Sequence, residues 1–341
     1  MTEPRYGQFL NEEFILKTQK SMIGVSLIEL MIAVLLSIFL SMAIVDVTLT
    51  ASRVNRQVQL SSEMIENGRY LTQLLNTELG LAGFYGWLTI PLSQSNKLPA
   101  FCTEISTADL NEALIFAVQG LDDAGKDETL CSGDTLLAGS DLLVIRRTRT
   151  DFFNSTIGLL DKQHYIQANG DAFVLALGVN DGAFNQTQKD GITAAPIRAF
   201  TQNIYYVAAD NVFKRRRLLK GKYTPAEPLV EWVDDFQVEY GIDRSGNGLA
   251  NANGGNPAYV ELPASAQEWA GVVSIRYHLL LSSTDPALGV NDVKRYTYAD
   301  KVDVRFSDAK VRRLFTGITQ LSNHSARRQL LFQAGLSKGE P

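Results

Sequence analysis

The chain reads as an α+β protein, with one long N-terminal helix packed on a mostly antiparallel β-sheet head. Three observations predict this. An apolar run from Val25 to Val45 carries a single ionisable residue, Glu29. Helical spacing then continues to Leu79, and no proline falls between Val25 and Ile90. Beyond Gly86 the chain changes to short alternating apolar and polar runs separated by turn formers. The hydrophobic share of 45% and charged share of 20% are those of a folded protein and exclude a disordered one. A net charge of −5 gives no overall attraction to nucleic acid.

The elements follow in order. Residues 1–24 form a polar leader with Arg5, Lys17 and Lys20. Residues 25–80 form the long helix, on the order of 80 Å if unbroken. Its part 25–45 spans roughly 30 Å, close to the hydrocarbon thickness of a bilayer. A lone carboxylate at that depth is costly, so Glu29 needs a partner or a function. In the second half, Val54, Val58, Ile65, Leu71, Leu74, Leu75 and Leu79 keep helical spacing, apart from a drift of one position between Ile65 and Leu71. Arg53, Gln57, Glu63, Glu66 and Gln73 fill the other face. Gly68 costs about 1 kcal/mol relative to alanine without breaking the pattern. Gly80-Leu81-Ala82-Gly83-Phe84 supplies glycines suited to a helix C-terminus.

Residues 81–341 form the head. Leu142-Leu143-Val144-Ile145 reads as a strand. Ile204–Val207 and Val212–Leu218 flank Ala208–Asn211 as a hairpin. Phe236, Val238 and Tyr240 alternate with polar residues, as do Val273, Ile275, Tyr277, Leu279 and Leu281. Val302–Phe306 alternates too, and each such run predicts a strand with one wet face. Gly246–Pro257, rich in Gly and Asn, reads as a loop.

Gly24-Val25-Ser26-Leu27-Ile28-Glu29-Leu30, behind the polar leader, resembles the cleavage signal of type IV prepilins. The resemblance extends along the mature chain to PilW-type minor pilins. Its carriers are Glu66–Tyr70 with Leu79–Gly86, Ser140–Arg146, Leu229–Asp243, Val272–Arg276 and Arg312–Thr316, in family order. Two positions depart from the family pattern: Val25 stands where prepilins usually have Phe, and Trp87 where a cysteine is expected.

This resemblance implies a minor type IV pilin that primes pilus assembly and enters the fibre at or near its tip. A prepilin peptidase would cut between Gly24 and Val25, and Val25 would be N-methylated. The stem would wait in the bacterial inner membrane, head in the periplasm, before packing against other minor pilins and the major pilin. Glu29 would set register by attracting the terminal amine of a neighbouring stem. Two alternatives share the stem: a tip adhesin or DNA-uptake receptor with a surface ligand, and a minor pseudopilin of a type II secretion system.

Other motifs favour plain structural readings. Cys102 and Cys131 are the only cysteines, and a head outside the cytoplasm lets them pair, with about 3–4 kcal/mol from loop closure. Lys214-Arg215-Arg216-Arg217 suits a strand edge protected by charge better than a DNA site. Asp243, Ser245, Asn247 and Gly248 resemble the start of an EF-hand loop, but residue 254 is Gly where the twelfth-place Glu belongs. Gly335-Leu336-Ser337-Lys338-Gly339 matches a nucleophile elbow by letter only, with no room for the following helix. His164, His278 and His324 have no companion in a ligand spacing, and no phosphate loop or dinucleotide fingerprint occurs. The expectation is therefore no catalytic residues, no metal and no cofactor.

Overall fold

The first expected element forms as a single helix, α1 (Leu27–Gly80). The computed structural model describes residues 24–89, 95, 97–100, 106–126, 128–131, 133–286 and 292–337, so leader positions 1–23 lie outside the described residues. The chain divides into two units, Met1–Asn55 and Arg56–Pro341. In the first, every position from 24 to 55 is exposed, apolar residues included.

In the second unit, α1 buries Leu60, Met64, Gly68, Leu71, Leu75 and Leu79, which step by three or four. This stripe differs from the expected one at its start. Val58 is exposed, and Leu60 and Met64 replace it. The six-residue step from Ile65 to Leu71 is not a helical repeat, whereas the steps through Gly68 are. A glycine carries no apolar side chain, so that rung was invisible to the pattern. The ring of Phe315 fills the space where a Cβ on Gly68 would stand. The helix ends through Gly83, at φ +69, whose N–H donates to the carbonyl of Arg146 over 2.8 Å.

The head adds α2 (Thr107–Ala113), β1 (Val118–Leu121), β2 (Leu142–Thr148), β3 (His164–Ala168), β4 (Phe173–Leu177), β5 (Ile197–Val207), β6 (Phe213–Leu219), β7 (Lys222–Tyr223), β8 (Glu227–Val230), β9 (Val233–Ile242), β10 (Tyr259–Val260), α3 (Ala266–Ala270), β11 (Val272–Ser282), β12 (Tyr296–Tyr298), β13 (Lys301–Val304), β14 (Arg312–Gln320) and α4 (Ser322–Ser337). The larger sheet runs β1-β2-β5-β3-β4, with β6 also on β5 and β7 and β8 on β6. One edge of the long strand β5 serves two partners: residues 197–199 pair with β3 and residues 203–207 with β6. The second sheet runs β10-β9-β11-β14, and β12 pairs with β13. All these pairings are antiparallel. The main core joins Leu71, Leu75 and Leu79 of α1 to Tyr205 and Phe213 of the first sheet and to Phe236, Ile275 and Leu279 of the second. Burial of these apolar faces is the dominant favourable term.

Two sequence expectations change here. β9 and β11 do not keep one wet face. The alternate residue His278 is buried, bonded to Glu239 and Thr316 over 3.0 Å each, and Arg276 pairs with Glu239 beneath the ring of Tyr259. Likewise β6, with its four basic residues, is not an edge strand, because β5 and β8 flank it. Mutual pairing of the polar groups removes the desolvation cost that would otherwise keep such faces in water.

Candidate functional site

The N-terminal stem gathers the residues that sequence singles out. Helical bonding begins with the N–H of Leu30 donating to the carbonyl of Ser26, 3.1 Å. Glu29 therefore lies in the first turn of α1, where a carboxylate favours the helix dipole. From Leu27 to Val45 it is the lone ionisable residue. The hydroxyls of Ser37 and Thr48 donate to the carbonyls of Ala33 and Ile44, each over 2.7 Å, so neither needs water. The helix is long and apolar enough to cross a membrane. A Cβ on Gly24 would meet nothing within 4 Å, and its backbone is not in the left-handed region, so the described fold does not require a glycine there. Val25 beside it is exposed.

The other end of α1 is locked to the head by polar groups that pattern reading missed. Glu78 is buried and accepts from Arg147 Nη2 and Nε over 2.8 and 3.1 Å, and from Asn203 Nδ2 over 2.8 Å. Tyr277 donates to Asn76 Oδ1 over 2.9 Å. Asn323 Nδ2 donates to the carbonyl of Gly80 over 3.0 Å, so α4 caps the C-terminus of α1. Arg146, wholly buried, donates to Gln202 and Gln119 over 2.6 and 2.7 Å and to the carbonyl of Phe116 over 3.1 Å. Burial pulls its guanidinium down to about 10, still charged at neutral pH. The signal available beforehand was polar: Glu78 sits among apolar helix positions, and Arg146 and Arg147 interrupt a strand pattern.

The remaining motifs separate cleanly. Lys214 pairs with Asp210 over 2.8 Å, and Arg215 with Glu227 over 2.9 Å. Arg217 also meets Glu227, and Arg216 donates to the carbonyl of Cys131 over 3.1 Å. A groove of roughly 680 Å³ over this sheet is lined by Arg147, Arg149, Arg215 and Arg217, each with its carboxylate partner. Asp243 accepts from the N–H groups of Gly246 and Gly248 over 2.6 and 2.9 Å and from Arg328 over 2.7 Å, which makes the EF-hand-like run a turn anchored to α4. Gly335 to Ser337 continue α4, and positions 338 and 339 lie outside the described residues. Cys102 also lies outside them, so the Cys102–Cys131 pairing stays an expectation. His324 is buried against the carbonyl of Ala270, 2.9 Å away, and burial pulls it down to about 3.

Comparison with known proteins adds a likeness to one family over part of the chain. Residues 204–323, from β5 into the first turn of α4, match the model of type IV pilus-assembly protein W, PilW. No curated protein matches the chain. Among solved structures, the chain is similar to a type IV-like pilin from Thermus thermophilus at 14% identity and a TM-score of 0.35, over 76% of this chain and 97% of that one.

Proposed function

We propose that this chain, similar over residues 204–323 to type IV pilus-assembly protein W, is a minor type IV pilin that primes pilus assembly and is incorporated at or near the fibre tip. The observation that carries this reading is the stem. An exposed apolar helix holds one carboxylate in its first turn, Glu29, and Gly24, which the fold does not use, lies just ahead of it. A glycine leaves the backbone open for a peptidase to grip beside the Gly24–Val25 bond. Cutting there leaves an amine four residues from Glu29, in chain that apolar surroundings would desolvate.

In the mature protein the N-methylated amine of Val25 stays cationic. Among the described residues no cation pairs with Glu29, so the amine of a neighbouring stem is its natural partner in an apolar bundle. Stem burial against other minor pilins and the major pilin supplies the packing energy, and the Glu29–amine pair sets the axial register. Before assembly the stem spans the bacterial inner membrane with the head in the periplasm, where Cys102 and Cys131 pair. Prepilin peptidase is the processing partner.

Mass spectrometry of the chain from pili-producing cells tests this. The expected product begins at methylated Val25, and its cysteines take up alkylating agent only after reduction. Recovery of the intact Met1 leader would overturn the reading. The display alternative, a tip adhesin or DNA-uptake receptor, loses its main support because Lys214, Arg215 and Arg217 pair with carboxylates of the head and Arg216 bonds to a backbone carbonyl. A pseudopilin of a type II secretion system shares the stem, and deletion separates the two: loss of fibres and twitching supports the pilin, loss of secretion alone the pseudopilin.

A further inference from the structure

One carboxylate cluster in the head is not used by the stem or by its clasp. The pairing of Leu121 with Leu142 at the end of β1 and β2 brings the next residues out on either side together: Asp122 and Asp123 from one strand, Asp141 from the other. One oxygen from each of the three carboxylates lies within 4.8 Å of the other two. Oxygens bound to one calcium ion at 2.3–2.6 Å lie up to about 5 Å apart, so the spacing suits a single ion. Asp141 is buried and fixed, accepting from the N–H groups of Asp123 and Val238 over 3.0 and 2.7 Å.

A second observation comes from the other sheet. Tyr240 on β9 is 1% exposed, and its Oη has no hydrogen-bond partner. That oxygen reaches the ladder end itself: a Cβ on Gly120 would overlap both Tyr240 Oη and the carbonyl of Leu142. A buried phenol without a partner costs about 1–3 kcal/mol, which a bound group at this end of the ladder would offset. Burial and the charges of Asp141 and Asp122 hold the phenol well above its ordinary value. Asp122 is pushed up by burial and by Asp123 and Asp300, and one buried oxygen of Asp300 is also unpartnered. The cation bonded to the cluster among the described residues is Lys301, which bridges Asp123 and Asp300.

We propose that Asp122, Asp123 and Asp141 form a divalent-cation site of the calcium type, with Tyr240 lining its buried wall. All donors are hard oxygens, which select calcium or magnesium over softer metals. Side chains of unequal burial, without an octahedral frame, favour calcium over magnesium. Lys301 competes with the ion for Asp123, so its removal strengthens the site. The ion would tie the loop after β1 to the start of β2, independently of what the stem does.

Calorimetric titration of the purified full chain in detergent with CaCl2, and separately with MgCl2, tests the site. The expected result is one saturable calcium site, a higher melting temperature with calcium, and a weaker magnesium response. An Asp122→Asn/Asp123→Asn double variant, altered on a loop, is expected to bind calcium at least about tenfold more weakly. Lys301→Gln is expected to bind it more tightly. Absence of saturable calcium binding in the unaltered chain, or calcium affinity unchanged in the double variant or not raised in Lys301→Gln, would overturn the proposal.

Discussion

Two glutamates on one helix show how environment sets the role of a residue. Glu78 is buried, and its carboxylate accepts from Arg147 and Asn203. Removing one member of a buried pair strands the other charge. Glu78→Gln is therefore expected to destabilise the head by about 3–5 kcal/mol, read by chemical denaturation, whereas Glu78→Leu with Arg147→Met recovers most of that loss. A double variant as unstable as the single one would show the pair is not the source. His324 makes a pH prediction. Its folded pKa of about 3 lies below the ordinary 6.5, because burial, with Arg327 and Arg328 nearby, disfavours the charged ring against the weaker pull of Asp243. The unfolded chain then binds the extra proton. Stability from this residue is full above pH 6.5 and falls as pH drops toward about 3, by at most about 1.4 kcal/mol per pH unit. His324→Gln is expected to flatten that slope relative to the unaltered chain, and parallel pH–stability curves would rule the effect out.

At the scale of elements, α1 packs on the head where a side chain is missing. Phe315 of β14 occupies the position over Gly68 that any Cβ would claim. Gly68→Val is expected to force the ring aside and lower head stability by about 1–3 kcal/mol, despite the better helix propensity of valine. A rise in melting temperature would show that the ring relocates without strain. The β5–β6 hairpin was legible from two strand-like runs flanking a turn, and its register Val207 against Phe213 agrees with a turn at Ala208–Asn211. The interior place of the basic strand β6 in its sheet was not legible, since the flanking strand β8 carries the Glu227 that pairs with Arg215. α4 also escaped periodic reading. Its attachment rests on polar bonds such as Arg328 to Asp243 and Asn323 to Gly80 rather than on an apolar stripe.

The whole molecule joins a stem exposed on every side to a head with its own core. The two make separable predictions. Glu29→Gln is expected to leave the melting temperature of the purified chain unchanged, because the residue is exposed. In cells the same change is expected to reduce recovery of the chain in sheared pili at least tenfold, an immunoblot measurement. Normal incorporation of the glutamine variant would remove Glu29 from the assembly mechanism.

The linear order of residues determined the features that depend on near neighbours. An apolar run of spanning length, helical spacing to Leu79, apolar runs in β2 and β5 and alternation in β9 and β11 are local patterns, and local patterns need no fold to be read. Tertiary structure alone decided which residues meet across long separations. Glu78 finds Arg147 and Asn203, Gly68 receives Phe315, and Asp122 faces Asp141 beside Tyr240 only after the sheets close on the helix. Burial changes the cost of each polar group, and burial is a property of the packed molecule rather than of the residues taken in order.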